Sequence, residues 1–416
     1  MFLKSFAYVT IALLFYRIGG HTPIPFINPE AYTNLFSESN DGLLAMYNMM
    51  SGGSLSRMSV FTLGIMPYIS ASIIVFMLQL FSEEFKQLSN REDGKVKSEQ
   101  IKRALTVGIV IFQSFALSSV LLSQSNGGIP MTTIAGFPFY VSTFLALLAG
   151  TFASIWLANT ITYIGFGSGV SILIMFGILS SMPANFMSIV SMYQNGVATD
   201  LDVGILLVML FACFMMVIVY ENTERRVKII KPDPVMGSRA SYYPFKANAT
   251  GIMPPIFAAI CLSMPVSALQ MLGDKAPTFL LTLKGYLAHG TIGYAVFYAV
   301  LVFVFGFAMS KVMIDPKKLS QSFSAQNLVI PTIRPGRDTQ TYLEKLTVAL
   351  TVISCIYMVI LCSIPEFINF SLGLPLYLGG TSILIMVSTA TEMKKSIFGM
   401  LEKNTYSEIE KKIESI

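Results

Sequence analysis

The run Leu43-Leu44-Ala45-Met46-Tyr47-Asn48-Met49-Met50, then Ser51-Gly52-Gly53-Ser54, then Phe61-Thr62-Leu63-Gly64-Ile65-Met66-Pro67-Tyr68-Ile69-Ser70-Ala71-Ser72, decides how this chain folds. The first part is apolar enough to be helical but too short to cross a bilayer, which takes about 20 residues. The Ser-Gly-Gly-Ser joint lets the chain reverse. The second apolar run begins a span with Gly64 and Pro67 inside it. A short half-inserted helix feeding a broken span is tolerated only where it lines a cavity or is buried in protein. The pattern predicts a membrane protein with that kind of interior.

Composition agrees. The 416-residue chain is 54% hydrophobic and 12% charged, with a mean hydropathy of +0.65; soluble domains carry about 25% charge. A water-soluble globule is excluded, and the 12% aromatic content excludes a disordered chain. Apolar windows predict ten spans, near 4–20, 60–81, 104–123, 138–158, 168–186, 204–220, 250–272, 289–310, 346–364 and 374–390. The first could be taken for a signal peptide after Lys4, but Arg17-Ile18-Gly19-Gly20 follows without a small-residue cleavage pattern, so a retained helix is expected. With a cytosolic N-terminus, all but four of the 28 Lys and Arg residues fall in cytosolic segments. The exceptions are Arg17, Arg57, Lys275 and Lys284. This asymmetry predicts that both termini face the cytosol. Five spans precede residue 204 and five follow, so the halves 1–203 and 204–394 enter the membrane from opposite sides, as inverted repeats do. Residues 395–416 read as a cytosolic tail.

Ion-coupled carriers place ionisable groups inside their spans, and here the span interiors are almost free of charge. The four cysteines lie in apolar runs with no Cys-x-x-Cys and no companion histidine, so neither a metal site nor a disulfide is expected. No Ser/His pair, paired aspartates or phosphate-cradling glycine loop with Lys-Ser/Thr is found, so the reading is a non-enzyme without cofactors.

The runs RIGGHTPIPFI, NMMSGGSLSR, FTLGIMPYISASI, WLANTITYIGFGSGVSILIMFGI, KANATGIMPPIFA, IRPGRDT, IPEF and LGGTSILIM occur in order from Arg17 to about Glu392. They closely resemble SecY, the channel subunit of the Sec protein translocase. The resemblance implies an all-α polytopic fold of ten spans in two five-helix halves, with an hourglass pore between them and a short re-entrant plug helix at about 43–57. It implies that unfolded secretory proteins cross through the pore and that hydrophobic signals leave sideways into the bilayer between the second and seventh spans, 60–81 and 250–272. Its plug and hinge residues would be Asn48, Ser51, Gly52 and Gly53. The matched pore-ring positions are Ile65, Ile69, Val170, Ile174, Ile256 and Ile385. Spacing alone reads these six as ordinary helix-packing aliphatics. In the ring reading, apolar side chains dewet the constriction and resist ions while closing around a passing peptide.

At the lateral gate, Gly251, Pro254 and Pro255 offer a hinge, because proline removes a helix hydrogen bond. Gln113 in the third span either joins a polar gate cluster or bonds a neighbouring helix. Arg334 resembles the family's arginine in the loop between spans eight and nine, where the SecA motor ATPase and the ribosome engage. Arg225, Arg226, Lys228, Arg239 and Lys246 decorate the loop between spans six and seven, although topology alone would also make that loop basic. Expected partners are SecE-type and SecG-type subunits, SecA or the ribosome, signal-bearing substrates and the lipid bilayer, with no direct nucleic-acid contact. The expected location is a bacterial plasma membrane, with an organellar membrane as the alternative.

Three features depart from the family pattern. Loop 221–248 is shorter and less basic than usual, only Met1-Phe2-Leu3-Lys4 precede the first span, and Phe26 stands where the family commonly has glycine. The first two leave an accessory SecY paralogue, or an organellar or reduced-genome version, as alternatives. A solute carrier or flippase of similar span count would instead need polar side chains at mid-membrane, and a scaffold or insertase component would lack a continuous pore.

Overall fold

The structure, a computed structural model, describes residues 2–28, 48–49, 51–82, 84–85, 92–123, 125–126, 129–130, 132–134, 136–196, 199–231, 239–248, 250–272, 291–372 and 379–414. Among these, the helices are α1 (Phe2–Gly19), α2 (Met66–Phe81), α3 (Glu92–Ser123), α4 (Phe137–Ile164), α5 (Gly169–Gln194), α6 (Asp200–Glu221), α7 (Met253–Leu272), α8 (Ile292–Met313), α9 (Pro316–Ala325), α10 (Arg337–Leu372) and α11 (Gly380–Glu414). The strands are β1 (Ser125–Asn126), β2 (Ile129–Pro130), β3 (Glu224–Lys231) and β4 (Arg239–Lys246). Each of the ten predicted spans coincides with a helix, and α9 is an addition outside them. Six of the described helices are long and apolar enough to cross a membrane. The chain is a multi-pass membrane protein.

Helix lengths depart from the apolar windows in both directions. α3 and α10 run for 32 and 36 residues, about 48 and 54 Å at 1.5 Å per residue, so each overruns the roughly 30 Å hydrocarbon core. Their extra turns are polar, and an apolar window cannot see them. α2 is the opposite case. The span expected over 60–81 forms helix only over its 16 residues from Met66, about 24 Å. Gly64, with φ of +49°, and Pro67, in the first helical turn, set the helix start rather than interrupting a span. Proline is harmless there because its missing N–H has no intrahelical partner anyway. Residues 51–65 form turns, and Leu55, Met58, Ser59, Phe61, Thr62 and Leu63 within them are buried. Non-helical backbone at membrane depth needs that cover.

Within the first half, α1 and α3 pack on α4, α2 on α3, and α4 on α5; within the second, α7 packs on α8, α8 on α10, and α11 on α6 and α10. Two seams join the halves. α5 meets α11 at one, and α2 and α3 meet α7 at the other, where α2 also touches α8. One apolar cluster runs through both, from Val9 in α1 to Val387 in α11.

Phe26 has φ of +68°, which explains why glycine suits this position: a side chain there meets the following carbonyl at a cost of about 1–2 kcal/mol. The Phe26 ring is 44% exposed, and its carbonyl accepts from Thr133 N at 3.0 Å, a bond that glycine keeps. Phe26→Gly is expected to raise stability by up to about 1 kcal/mol, read as a higher thermal midpoint in detergent.

The loop between α6 and α7, expected only as a basic connection, is an ordered antiparallel hairpin with Glu224 opposite Lys246 and Lys231 opposite Arg239. β3 alternates along its length: Val227 and Ile229 are buried, while Arg226 and Lys228 are exposed. The buried face packs on Phe323 of α9, on Ile330 in the loop before α10, and on Leu343 of α10. Ile230 and Val329 exchange backbone hydrogen bonds at 2.8 and 2.9 Å, so the loop ahead of α10 adds to the hairpin edge.

Candidate functional site

The six aliphatic positions come from four helices in both halves, and the fold gathers them into one cluster. Ile65 and Ile69 lie at the start of α2, Val170 and Ile174 at the start of α5, Ile256 in the first turn of α7, and Ile385 in the second turn of α11. Ile65, Ile69, Ile174, Ile256 and Ile385 are 1% to 4% exposed, and Val170 packs against them half-buried. Across the seam between α2 and α7, Phe76 and Phe257 meet with ring centroids 5.9 Å apart.

The segment after Asn48 enters this cluster. Met49 is 3% exposed within it, and its sulfur accepts from Asn185 Nδ2 of α5 at 3.6 Å and from Ser382 Oγ of α11 at 3.9 Å. It therefore sits where the two halves face each other. Asn48 ties the turn behind it: its carbonyl accepts from Gly53 N at 2.8 Å and Ser51 Oγ at 3.0 Å, and its Oδ1 accepts from Ser56 N at 2.9 Å. Gly52 has φ of +70°, and a Cβ there would stand 3.3 Å from Gly177 Cα of α5. At the end of α1, a Cβ on Gly19 would fall 2.0 Å from the Phe61 ring. Those two glycines let the turn lie directly on α1 and α5. Of the expected plug, residues 43–47 and 50 are outside the described residues.

The expected gate residues Gly251, Pro254 and Pro255 lie at the start of α7. Pro254 and Pro255 fall in the first turn of α7, so they begin that helix instead of breaking it. Gly251 has φ of +64° and forms the turn ahead of it. Its N–H donates to Asn248 Oδ1 at 3.0 Å and its carbonyl accepts from Asn248 Nδ2 at 3.2 Å. Asn248 also donates to Glu221 Oε1 of α6 at 2.7 Å and accepts from Ser354 Oγ of α10 at 3.2 Å. Ser388 of α11 bonds the same Glu221 carboxylate. This node fixes the entry of α7 to three other helices. Sequence reading passed over it; the polar Asn248 and Thr250 within KANATGIMPP were the only available signal. The Gln113 amide oxygen is buried without a hydrogen-bond partner among the described residues.

Arg225, Arg226, Lys228, Lys246 and Arg334 are exposed, and none has an ion-pair partner among the described residues. Arg239 pairs through its backbone at the end of β4. The hairpin and the Arg334 loop, far apart in sequence, are thus parts of one basic cap. Thr339 Oγ1 holds the Arg334 carbonyl at 2.9 Å, and Ser320 Oγ holds that of Gly336 at 3.0 Å.

The family model described as SecY matches residues 59–394, a stretch that includes the seam, the hairpin and the basic cap. The chain belongs to the SecY family. Among its relatives, the protein translocase subunit SecY of Rickettsia typhi is 34% identical over 410 residues, covering 96% of this chain and 94% of that protein. The SecY subunit of Escherichia coli K12 is 31% identical over 416 residues, covering 98% and 94%. The fold is similar to a solved protein-conducting channel, with a TM-score of 0.68 at 17% identity over 94% of this chain and 91% of that one. It is also similar to Sec61 in the canine ribosome–channel complex from the endoplasmic reticulum, with a TM-score of 0.65 at 17% identity and the same coverage. In this SecY-family chain, Met49, Ile65, Ile69, Ile174, Ile256 and Ile385 belong to one buried apolar cluster drawn from both halves of the sequence, with Val170 packed against it.

Proposed function

We propose that the chain is the protein-conducting channel of a Sec translocon, passing unfolded secretory proteins between its halves and releasing hydrophobic segments between α2 and α7. Family membership supports this reading. The observation that carries it is the convergence of aliphatic side chains from both halves, with Met49 inserted among them. An apolar constriction resists ions and offers a passing peptide no hydrogen-bond code, which suits a channel for many sequences. Residues 1–203 and 204–394 act as the two halves, with α5 against α11 as the hinge and the Phe76–Phe257 contact as part of the gate.

The basic cap is the docking surface for a SecA-type motor or a ribosome, with Arg334, Arg225, Arg226, Arg239 and Lys246 as its cations. The presence of a ribosome–channel complex among the fold neighbours favours that use. SecE-type and SecG-type subunits complete the assembly in a bacterial plasma membrane, with both termini in the cytosol. The channel itself is not an enzyme.

Site-specific photocrosslinking from Ile69 and Ile256 to a stalled, signal-bearing secretory chain tests the pore. Adducts at both positions that vanish with a defective signal are expected. A correctly inserted chain that crosslinks at neither position would overturn the assignment, and adducts with only a subset of precursors would mark an accessory translocon.

A further inference from the structure

A small cavity lies beside the Asn248 node, where the hairpin runs into the turn ahead of α7. Its walls come from the end of the hairpin, from Thr250 in that turn, from the end of α8, and from the face of α10 that carries Thr347, Thr351 and Ser354. Those three residues share a face because they are spaced four and three apart on a helix. The cavity offers about 40 Å³ to the centres of water molecules. One water needs about 10–15 Å³ on that measure, so roughly two or three fit. Thr347 is 6% exposed, and its Oγ1 is buried with no hydrogen-bond partner among the described residues. Thr351, one turn on, behaves differently: its Oγ1 donates to the Thr347 carbonyl at 2.7 Å and pairs with Ser310 Oγ of α8. Ser354 and Thr250 donate to Asn248 Oδ1 at 3.2 and 3.4 Å. A hydroxyl carries one donor and two acceptor sites, so both keep the capacity to accept.

We propose that this cavity is a hydration site, whose ordered waters accept from Thr347 Oγ1 and donate to Ser354 and Thr250. Water both donates and accepts, which is what an unbonded hydroxyl facing two acceptors requires. A metal cation suits the cavity poorly: Lys246 is the charged residue among those lining it, and no carboxylate among the described residues lines it. An apolar occupant would leave Thr347 Oγ1 buried and unbonded, which is costly. The site completes the Asn248 node on its α10 side. Asn248 ties the turn ahead of α7 to Glu221 of α6, and the waters tie the same turn to Thr347, further along α10 than Ser354 reaches. A bridging water is nearly as good a partner as a direct hydrogen bond, so the turn is held although Thr250 and Thr347 share no direct one. This hydration follows from the fold of the chain and holds whether or not the channel reading does.

The test is X-ray radiolytic footprinting of the full chain, purified with its accompanying subunits, with a radical scavenger in the bulk solvent. Radicals born from bound water oxidise the side chains beside it even where bulk radicals are quenched. Phe245 lines the cavity and is 7% exposed, whereas Phe323, 3% exposed in the same apolar cluster under the hairpin, does not line it. Phe245 is expected to be oxidised about fivefold faster than Phe323 if waters are bound beside it. Thr347→Val, close in shape but without the hydroxyl, is expected to cut that excess by at least about half, because each water needs its polar partners. It is also expected to lower the thermal midpoint, while Thr347→Ser keeps the excess. In a dry cavity the sign reverses, since valine then removes an orphan hydroxyl and the midpoint rises. Equal oxidation of Phe245 and Phe323 in wild type, or a higher midpoint in Thr347→Val, would overturn the hydration site.

Discussion

Replacing Ile256 with asparagine is expected to raise the resting ion conductance of the reconstituted channel by about tenfold or more, through wetting of an apolar constriction. Ile256 is 1% exposed and packs in the cluster shared by both halves. An amide there lacks an arranged partner, costs about 1–3 kcal/mol, and recruits water into the seam. Val217→Asn is the decisive comparison. Val217 is fully buried in the same cluster but lies on α6, which contributes none of the six aliphatic positions. It should lose similar stability without leaking. Ile256→Val should change conductance little, because removing one methylene costs about 0.5–1.5 kcal/mol and adds no polar atom. Equal leaks from the α6 and α7 variants would reduce the six residues to ordinary packing.

Asn248→Ala should give the largest loss of stability, about 3 kcal/mol or more, because one substitution leaves several buried groups unmatched. Asn248 is 4% exposed. Its loss leaves the Gly251 N–H and the Glu221 carboxylate each without the partner that Asn248 supplied. Ser354→Ala removes one bond to the same node and should cost about 1 kcal/mol. Glu221→Gln keeps an acceptor for Asn248 and should be milder than Asn248→Ala. Thermal unfolding in detergent checks this order. Photocrosslinking from Ile256 should also fall in Asn248→Ala, since the turn that aims α7 is released. If Asn248→Ala proved as stable as Ser354→Ala, the node would not be what holds α7.

Much of this was legible in the chain itself. Ten apolar runs give ten helices because each must satisfy its backbone hydrogen bonds internally in lipid, a local requirement that leaves its mark on composition. The six aliphatic positions could be named from their motifs, and their place within a single large apolar cluster is as far as the fold carries them. Phe26 could be singled out as unusual, but its left-handed backbone could not be seen until the fold placed it between the end of α1 and the strand-like contact with Thr133.

Helix ends and polar partnerships were harder to read. The expected span 250–272 begins as helix only at Met253, because an apolar window records hydrophobicity and not where hydrogen bonding begins. The hairpin of residues 224–246 hides behind its charge. Its buried face is only two residues in β3, Val227 and Ile229, and alternation that short has no meaning until α9 and α10 cover it. The sequence by itself determined the membrane class, the number of spans and the apolar character of the seam, since these follow from local transfer free energies. Only the tertiary structure decided that Met49 reaches both halves and that Asn248 ties α7 to α6 and α10. The longest of those contacts joins residues 333 positions apart, and hydrogen-bond geometry between such distant groups leaves no periodic trace along a chain.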